Sequence, residues 1–378
     1  MAAGTPGRGT ARSIPSGHAM DDGAMDAARM IVPDLADWPD DVHSDCIFHA
    51  ARQRGVPVER IMAPRRHGGV PEPWLRLVIG GQRYFYSQAI LISDPDPADS
   101  RQAHHVNRGL ARSSADKHAT KRLLSALGVP VPAGERFAAS DVAGAEAMFT
   151  SLGGPACVKP CRAGQGRQVY PWLRDRPAFR EAFRVAGQAY PELVVAEHVE
   201  GDQVRFFYVR PSVVGVRLDR PANVVADGSH SIAELAAAKT EARRRKPPGF
   251  SPILLDREAD RYLAQQGLAR DSRPAAGARV FLRGTSNPGT GGEGVDCRPF
   301  LHPSYGRLVE DFCGRLPELH LSAIDMMLSD PAAPAAPGNH WVLEVNSDPG
   351  LTSFYFPWEG EPQDVGGALI ERLMDERW

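Results

Sequence analysis

Lysine is scarce in this 378-residue chain, with five against 39 arginines. Three of the five, Lys117, Lys121 and Lys159, fall in one short region. Chance within an Arg-rich composition accounts for this as readily as a need for a compact ammonium beside a phosphate, where a planar guanidinium is no substitute. Net charge is also missing. A formal charge of −2, with 42% hydrophobic and 24% charged residues, gives no global pull toward nucleic acid or a membrane surface, and neither partner is expected. Cysteine is sparse and odd in number, at 46, 157, 161, 297 and 313, with no CxxC pair. That argues against a disulfide framework or zinc ribbon and fits a reducing cytoplasm. Cys157 and Cys161 lie four apart without a His or Cys at ligand spacing and are expected to pack as small hydrophobes. No stretch approaches the ~20 apolar residues of a membrane span. Residues 1–30 hold no apolar run like a signal-peptide core and read as a disordered tail.

At this length a single core is inefficient, so two or three packed subdomains are expected. No internal repeat is present, and helical and strand segments alternate, which favours mixed α/β layers. A helix is expected over 43–54, stopped by Gly55 and Pro57, then strands over 75–79 and 83–87 joined as a hairpin at Gly80 and Gly81. A loop follows over 94–99. The next helix spans 116–127, with Ser113 or Ser114 available to cap it and Gly128 to end it. Residues 140–198 read as helix, strand, glycine-rich loop, helix and strand, a unit small enough to be a mobile lid. Strands over 204–209 and 213–217, helices over 231–243 and 256–266, strands over 278–283, 320–328 and 340–346, and a helix over 365–374 complete the chain. The Arg-Arg-Arg-Lys run at 243–246 is expected to be a solvated helix end rather than a nucleic-acid signal.

The strongest local signal is Trp341-Val342-Leu343-Glu344-Val345-Asn346 ahead of the turn Ser347-Asp348-Pro349-Gly350. Strand alternation points Glu344 and Asn346 to one face and Leu343 and Val345 to the other. Asp325 sits inside another strongly apolar strand, where an unpaired carboxylate is costly and needs a cation beside it. Two carboxylates and an amide oxygen on neighbouring strands suit magnesium, which takes hard oxygen ligands and keeps phosphate oxygens and water in its other positions. Plain salt bridges to arginine would satisfy the same acids. Arg283 opens the segment Gly284-Thr285-Ser286-Asn287-Pro288-Gly289-Thr290-Gly291-Gly292. An arginine, an amide and free backbone NH groups suit a transferring phosphoryl group or an oxyanion; an ordinary flexible loop is the alternative. Lys159 ends a strand and precedes Arg162-Ala163-Gly164-Gln165-Gly166-Arg167. The lysine precedes the glycines, so this is no P-loop, and a third glycine is missing for a dinucleotide fingerprint. A glycine loop beside a strand lysine can still fold over phosphates.

In order, Asp116-Lys117 through Lys121, Val158-Lys159-Pro160, the glycine loop, Glu197-His198-Val199, Asp325 and Glu344-Val345-Asn346 resemble the ATP-grasp superfamily. Val225-Ala226-Asp227-Gly228, Leu282-Arg283-Gly284 with Asn287, Thr290-Gly291-Gly292 and His302-Pro303 sharpen the likeness toward the ATP-grasp region of cyanophycin synthetase and related peptide and amino-acid ligases, over about residues 75–374.

The resemblance implies an α/β (α+β) ATP-grasp fold, with the nucleotide held between a small lid subdomain and a larger C-terminal mixed-sheet subdomain. The expected divisions are a tail over 1–30, an N-terminal pre-ATP-grasp subdomain over 31–112, a central subdomain with lid over 113–198 and a catalytic subdomain over 199–378. It implies ATP and Mg2+, with Mn2+ as an alternative ion. Lys117 and Lys159 would hold the phosphates, Glu197 the adenine amino group, the Val199 backbone the adenine and Asp202 the ribose. Asp325, Glu344 and Asn346 would bind one or two metal ions, while Arg283 and Asn287 steady the transferred phosphoryl group.

The implied reaction activates a small-molecule carboxylate as an acyl phosphate, releasing ADP, and joins it to an amine such as an amino acid or short peptide. A small-molecule kinase and a non-catalytic nucleotide-binding module are the alternatives. No residue stands out as a general base, and homo-oligomerisation stays open. Two departures bear on substrate. The stretch Thr352-Ser353-Phe354-Tyr355-Phe356-Pro357-Trp358 is aromatic where the family often carries basic residues, which fits a smaller, less acidic, aromatic or peptide-like substrate unless those rings are core. The Asn-x-x-Arg-Gly pattern is missing near 239–249, where Lys239, Arg243 to Lys246 and a proline pair stand instead.

Overall fold

The computed structural model describes residues 41–63, 72–94, 103–164, 166–376 and 378. The tail expected over 1–30 and, beyond Asp94, the loop expected over 94–99 lie outside them. The helix Val42–Gln53 starts on Asp41, whose side chain accepts from the Ser44 N–H. It leads into β1 (Val58–Ala63), β2 (Glu72–Ile79), β3 (Gln82–Ser87), β4 (Ile90–Asp94) and β5 (His104–His105), an antiparallel sheet paired in that order. Gly80 and Gly81 turn β2 into β3 at φ 57° and 81°, a geometry that glycine adopts without a steric penalty.

A short helix, Leu110–Ser114, and the helix Lys117–Ala126 precede β6 (Gly134–Ala138), the helix Val142–Leu152, β7 (Ala156–Pro160), β8 (Tyr170–Leu173), the helix Arg176–Ala189 and β9 (Glu192–Glu197). These four strands form an antiparallel sheet in the order β6-β9-β7-β8, and both longer helices pack on it around Val158, Phe179, Phe183 and Val195. β6 and β8 were not expected. β6 carries only Phe137 as a large apolar residue, and β8 is four residues long, so neither has a readable alternation.

Then come β10 (Asp202–Val209), β11 (Ser212–Arg220), β12 (Asn223–Val225), the helices Ile232–Arg245 and Arg257–Gln265, β13 (Arg279–Phe281), β14 (Glu293–Asp296), the helix Ser304–Gly314, β15 (Leu321–Leu328), β16 (His340–Asn346) and the helices Thr352–Tyr355 and Val365–Asp375. β12 and β13 pair alone, and the others form a second five-stranded sheet, ordered β14-β11-β10-β15-β16.

Burial ties the first of the described elements to the last quarter of the chain. Ile47, Leu75 and Tyr84 share one core with Phe207, Leu321, Phe354, Val365 and Leu369, so the N-terminal sheet is packed onto the last quarter of the chain. Phe354 and Tyr355 belong to this core, which removes them as substrate contacts. The helix Lys117–Ala126, expected with the central unit, sends Leu124 into a second core with Phe206, Ile324 and Val342 of the β10–β16 sheet. Arg243, expected in a solvated run, is fully buried. Its Nε donates to the Ser251 carbonyl at 2.7 Å and its Nη1 lies 3.6 Å from Glu293, whereas Arg244 and Arg245 are exposed and pair with Glu241. The five cysteines are all unpaired thiols, four of them buried.

Candidate active site

Strand register builds the floor of the site. Glu344 on β16 stands opposite Asp325 on β15, Asp325 opposite Arg205 on β10, and Arg205 opposite Arg217 on β11. Opposed residues share a face, so two acids and two guanidiniums form one row at strand spacings of roughly 4.8 Å. Met327, Gln203 and Asp219 form a parallel second row two residues along. Both rows line one cleft of about 670 Å³. Asp325 is only 3% exposed and receives Arg205 through both oxygens at 2.5 and 2.6 Å, and Asn346 Nδ2 donates to its Oδ2 at 3.3 Å. Arg217 donates to Asp219 at 2.6 Å.

The expected alternation of β16 fails at one point. The register slips between Asp325 and Met326, so that Asp325 faces Glu344 but Met326 faces Val342. This bulge leaves Leu343 as the extra residue, and it joins Glu344 and Asn346 on the cleft while Val342 and Val345 stay in the core.

The opposite wall comes from the first half of the chain. Lys117 is the first residue of its helix, capped by Asp116, which accepts from the His118 and Ala119 N–H groups at 3.0 Å each. Ser113 and Ser114 do not cap it because they end the preceding short helix. Lys117 Nζ donates to Glu344 Oε1 at 2.5 Å and to the Ala163 carbonyl at 2.9 Å. Lys159 on β7 lines the same cleft with Gly164, Gly166 and Arg167. Glu197 and Val199 line it too; one Glu197 oxygen accepts from the Ala133 N–H at 2.8 Å. Glu197 and His198 give their own N–H groups to the Ala133 and Pro155 carbonyls, whereas the Val199 backbone has no such partner among the described residues. Lys121 is not part of the cleft wall: its ammonium donates to the Gly134 carbonyl, bracing the start of β6.

The glutathione biosynthesis bifunctional protein GshAB of Mannheimia succiniciproducens is 32% identical over 270 residues, covering 69% of this chain and 35% of that protein. Cyanophycin synthetase of Trichormus variabilis is 31% identical over 266 residues, covering 69% of this chain and 29% of that protein. The crystal structure of a bifunctional glutathione synthetase from Pasteurella multocida covers 93% of this chain and 46% of its own at 25% identity, with a TM-score of 0.61. No family model matches. The chain spans about a third of the length of the curated relatives it matches. The likeness reaches across nearly the whole fold, and the motifs that run in order along the sequence converge on one cleft.

The chain belongs to the ATP-grasp superfamily. Its ATP-grasp cleft brings together Lys117, Lys159, Glu197, Val199, Asn287, Asp325, Glu344 and Asn346. Two expected residues are elsewhere. Arg283 is 2% exposed and turned away from the cleft, where it pairs with Asp256 at 2.7 Å and Glu258 at 2.5 Å and braces the helix Arg257–Gln265. Asp202 lies exposed at the outer end of β10, and its neighbour Gln203 lines the cleft instead. Asn287 caps the turn Pro288–Thr290 by accepting from the Gly289 N–H at 2.8 Å.

Sequence reading missed Arg205, Arg217 and His43. Arg205 was legible in kind, being the one cation of β10 beside an apolar run, much as Asp325 is the one acid of the apolar β15. Among the described residues no three His, Cys, Asp or Glu side chains cluster as metal ligands. The hard-oxygen set here is two carboxylates and one amide, which fits an ion that completes its shell with phosphate oxygens and water.

Proposed function

We propose that the chain is an ATP-dependent carboxylate-amine ligase, forming ADP through an acyl phosphate. The observation that carries this reading is the contact between Lys117 and Glu344, 227 residues apart, which joins the phosphate-binding candidates and the metal-binding candidates at one place. The names of the relatives, glutathione biosynthesis and cyanophycin synthesis, support an amino acid or short peptide as one of the joined molecules.

Lys117 and Lys159 neutralise the triphosphate, with the backbone around Gly164 and Gly166 approaching closely because no Cβ intervenes. Asp325, Glu344 and Asn346 would hold Mg2+, with Mn2+ as a substitute, and the ion would supply charge neutralisation on phosphate oxygens. Glu197 and Val199 take the adenine edge, the valine through its uncommitted backbone. Arg205, beside the acids in the floor row, orients the substrate carboxylate. Its oxygen attacks the γ-phosphorus as ADP leaves, and the amine then displaces phosphate from the acyl carbon. Alignment of the partners supplies up to roughly 7–11 kcal/mol, and closing the β6–β9 unit over them excludes water that would hydrolyse the acyl phosphate. Among the described residues no helix is long and apolar enough to cross a membrane.

The test is ADP release and product mass with panels of carboxylic acids and amines. The expected product has the mass of acid plus amine less water, with one ADP per bond. Amine-independent ADP release with a stable phosphorylated acid would instead identify a kinase.

A further inference from the structure

We propose that the Arg217 end of the cleft seats a non-reacting carboxylate carried by the amine substrate, an assignment that rests on the ligase reading above. Arg217 is 4% exposed, and Asp219 takes its Nε at 2.6 Å and its Nη2 at 3.4 Å, while its Nη1 has no hydrogen bond to the described residues. This guanidinium lies over the Phe354 ring at 5.0 Å, which holds its plane, and it lines the cleft.

Near it is His43, the second residue of the helix Val42–Gln53 and part of the same cleft wall. Its Nδ1 accepts from the Leu351 N–H at 3.0 Å and the Thr352 N–H at 3.4 Å. A neutral ring so held carries its proton on Nε2, which makes that atom a donor. Burial lowers the pKa of His43, Asp41 opposing and Arg217 reinforcing, so the ring is neutral at pH 7.

The wall is built for this placement. Asp41 caps the helix through Ser44 and also accepts the Gln88 N–H at 3.0 Å, tying His43 to the β3–β4 turn. Gln88 and Ala89 there have φ of 48° and 70°, which L residues adopt reluctantly, and both line the cleft. Ser353 adds a hydroxyl to the same end. Arg217 Nη1, His43 Nε2 and Ser353 Oγ are donors, so the group that fits them offers acceptor oxygens and negative charge.

Position in the row says which substrate carries it. The acids of β15 and β16 and the lysines mark the phosphoryl side, and Arg205 comes next. The acyl carbon stands between the phosphate and the incoming amine, so the amine substrate occupies the remaining side, one strand spacing further, at Arg217. A span of roughly 4.8 Å suits an amino acid with its amine toward Arg205 and its carboxylate on Arg217.

Three amine probes separate the steps. Hydroxylamine, which has no carboxylate, reports the acyl phosphate as a hydroxamate. Matched pairs of amino acid and decarboxylated amine (glycine and methylamine, alanine and ethylamine, phenylalanine and phenethylamine) report the pocket. With a panel of amino acids and dipeptides as acids, the amino acid of at least one pair is expected to be ligated over its amine at least ~10-fold, the scale of one charge-assisted hydrogen bond.

Arg217→Gln is expected to lower the ratio of amino-acid ligation to hydroxamate formation at least ~10-fold through KM for the amino acid. Because Asp219 loses its partner in that variant, His43→Leu serves as the second: it lowers the same ratio, and His43→Gln, which keeps an acceptor and a donor, restores part of it. Hydroxamate from no acid overturns the ligase reading itself. Hydroxamate with both members of every pair used equally, or not at all, overturns this assignment alone. So does an Arg217→Gln variant that loses hydroxamate and ligated product in equal proportion.

Discussion

Replacing Arg205 by Met tests the floor of the cleft through stability rather than turnover. Asp325 is 3% exposed and Arg205 approaches both of its oxygens, at 2.5 and 2.6 Å. Without the guanidinium, the carboxylate keeps one weak donor, Asn346 Nδ2 at 3.3 Å, and faces the Glu344 carboxylate across the strand pair. Removing one partner of a buried pair costs about 3–5 kcal/mol, most of it the penalty on the charge left behind. Neutralising that charge with Asp325→Asn in the same chain is therefore expected to recover more than half of the loss. The assay is urea unfolding followed by tryptophan fluorescence, since Trp341 lies on β16 within the affected sheet. Added Mg2+ with nucleotide should raise the midpoint of Arg205→Met more than that of the parent chain, because the ion replaces the lost positive charge; saturation at 100 times the Kd adds about 2.7 kcal/mol. An unchanged midpoint for Arg205→Met, or a double variant less stable than the single one, would refute the reasoning.

Glu344→Gln keeps the shape of β16 but removes the charge that meets Lys117; ADP formation should fall at least ~100-fold, with circular dichroism unchanged, and retained turnover would remove Glu344 from the metal set. His198 is half-buried, and desolvation, with Arg174 nearby, lowers its pKa to about 4 from 6.5. Between those values the unfolded ring binds a proton that the folded ring refuses, so stability falls as pH drops from 6.5 toward 4. After allowance for solvent screening this is about 1–2 kcal/mol, and urea midpoints at pH 7 and 4.5 should converge in His198→Gln. Gly201 has φ 147°, and a Cβ there would overlap the Leu328 carbonyl; Gly201→Ala should lower stability by about 2–3 kcal/mol, read as a fall in thermal midpoint.

Most of the helices and the long strands were legible because their apolar spacing is strong and several of their ends are punctuated: Gly128 stops one helix, though its cap is Asp116 and not the serines before it, and Gly80 and Gly81 make one hairpin. β6 and β8 escaped because short, half-exposed strands carry no period. Among the site residues, acids inside apolar strands announced themselves by their cost. Arg283 misled because its neighbours, a glycine-rich segment and an asparagine, suit a phosphate equally well whether or not the guanidinium turns toward them. The pairing of Arg283 with Asp256 and Glu258 was invisible in the local pattern.

By itself, then, the sequence determined the inventory and its order: two lysines, a glycine loop, Glu197 at the end of a strand, and two acids with an amide on apolar strands, each expensive to bury without a purpose. Only the tertiary structure decided which of these meet and which way each side chain turns. The β16 bulge put Leu343 beside Glu344, the register lined Arg205 and Arg217 up with the acids, and packing of the helix Val42–Gln53 against the last quarter of the chain carried His43 to the cleft. The physical reason is that burial cost is a property of a residue in its own strand, whereas direction and partnership depend on register and on contacts between segments hundreds of residues apart.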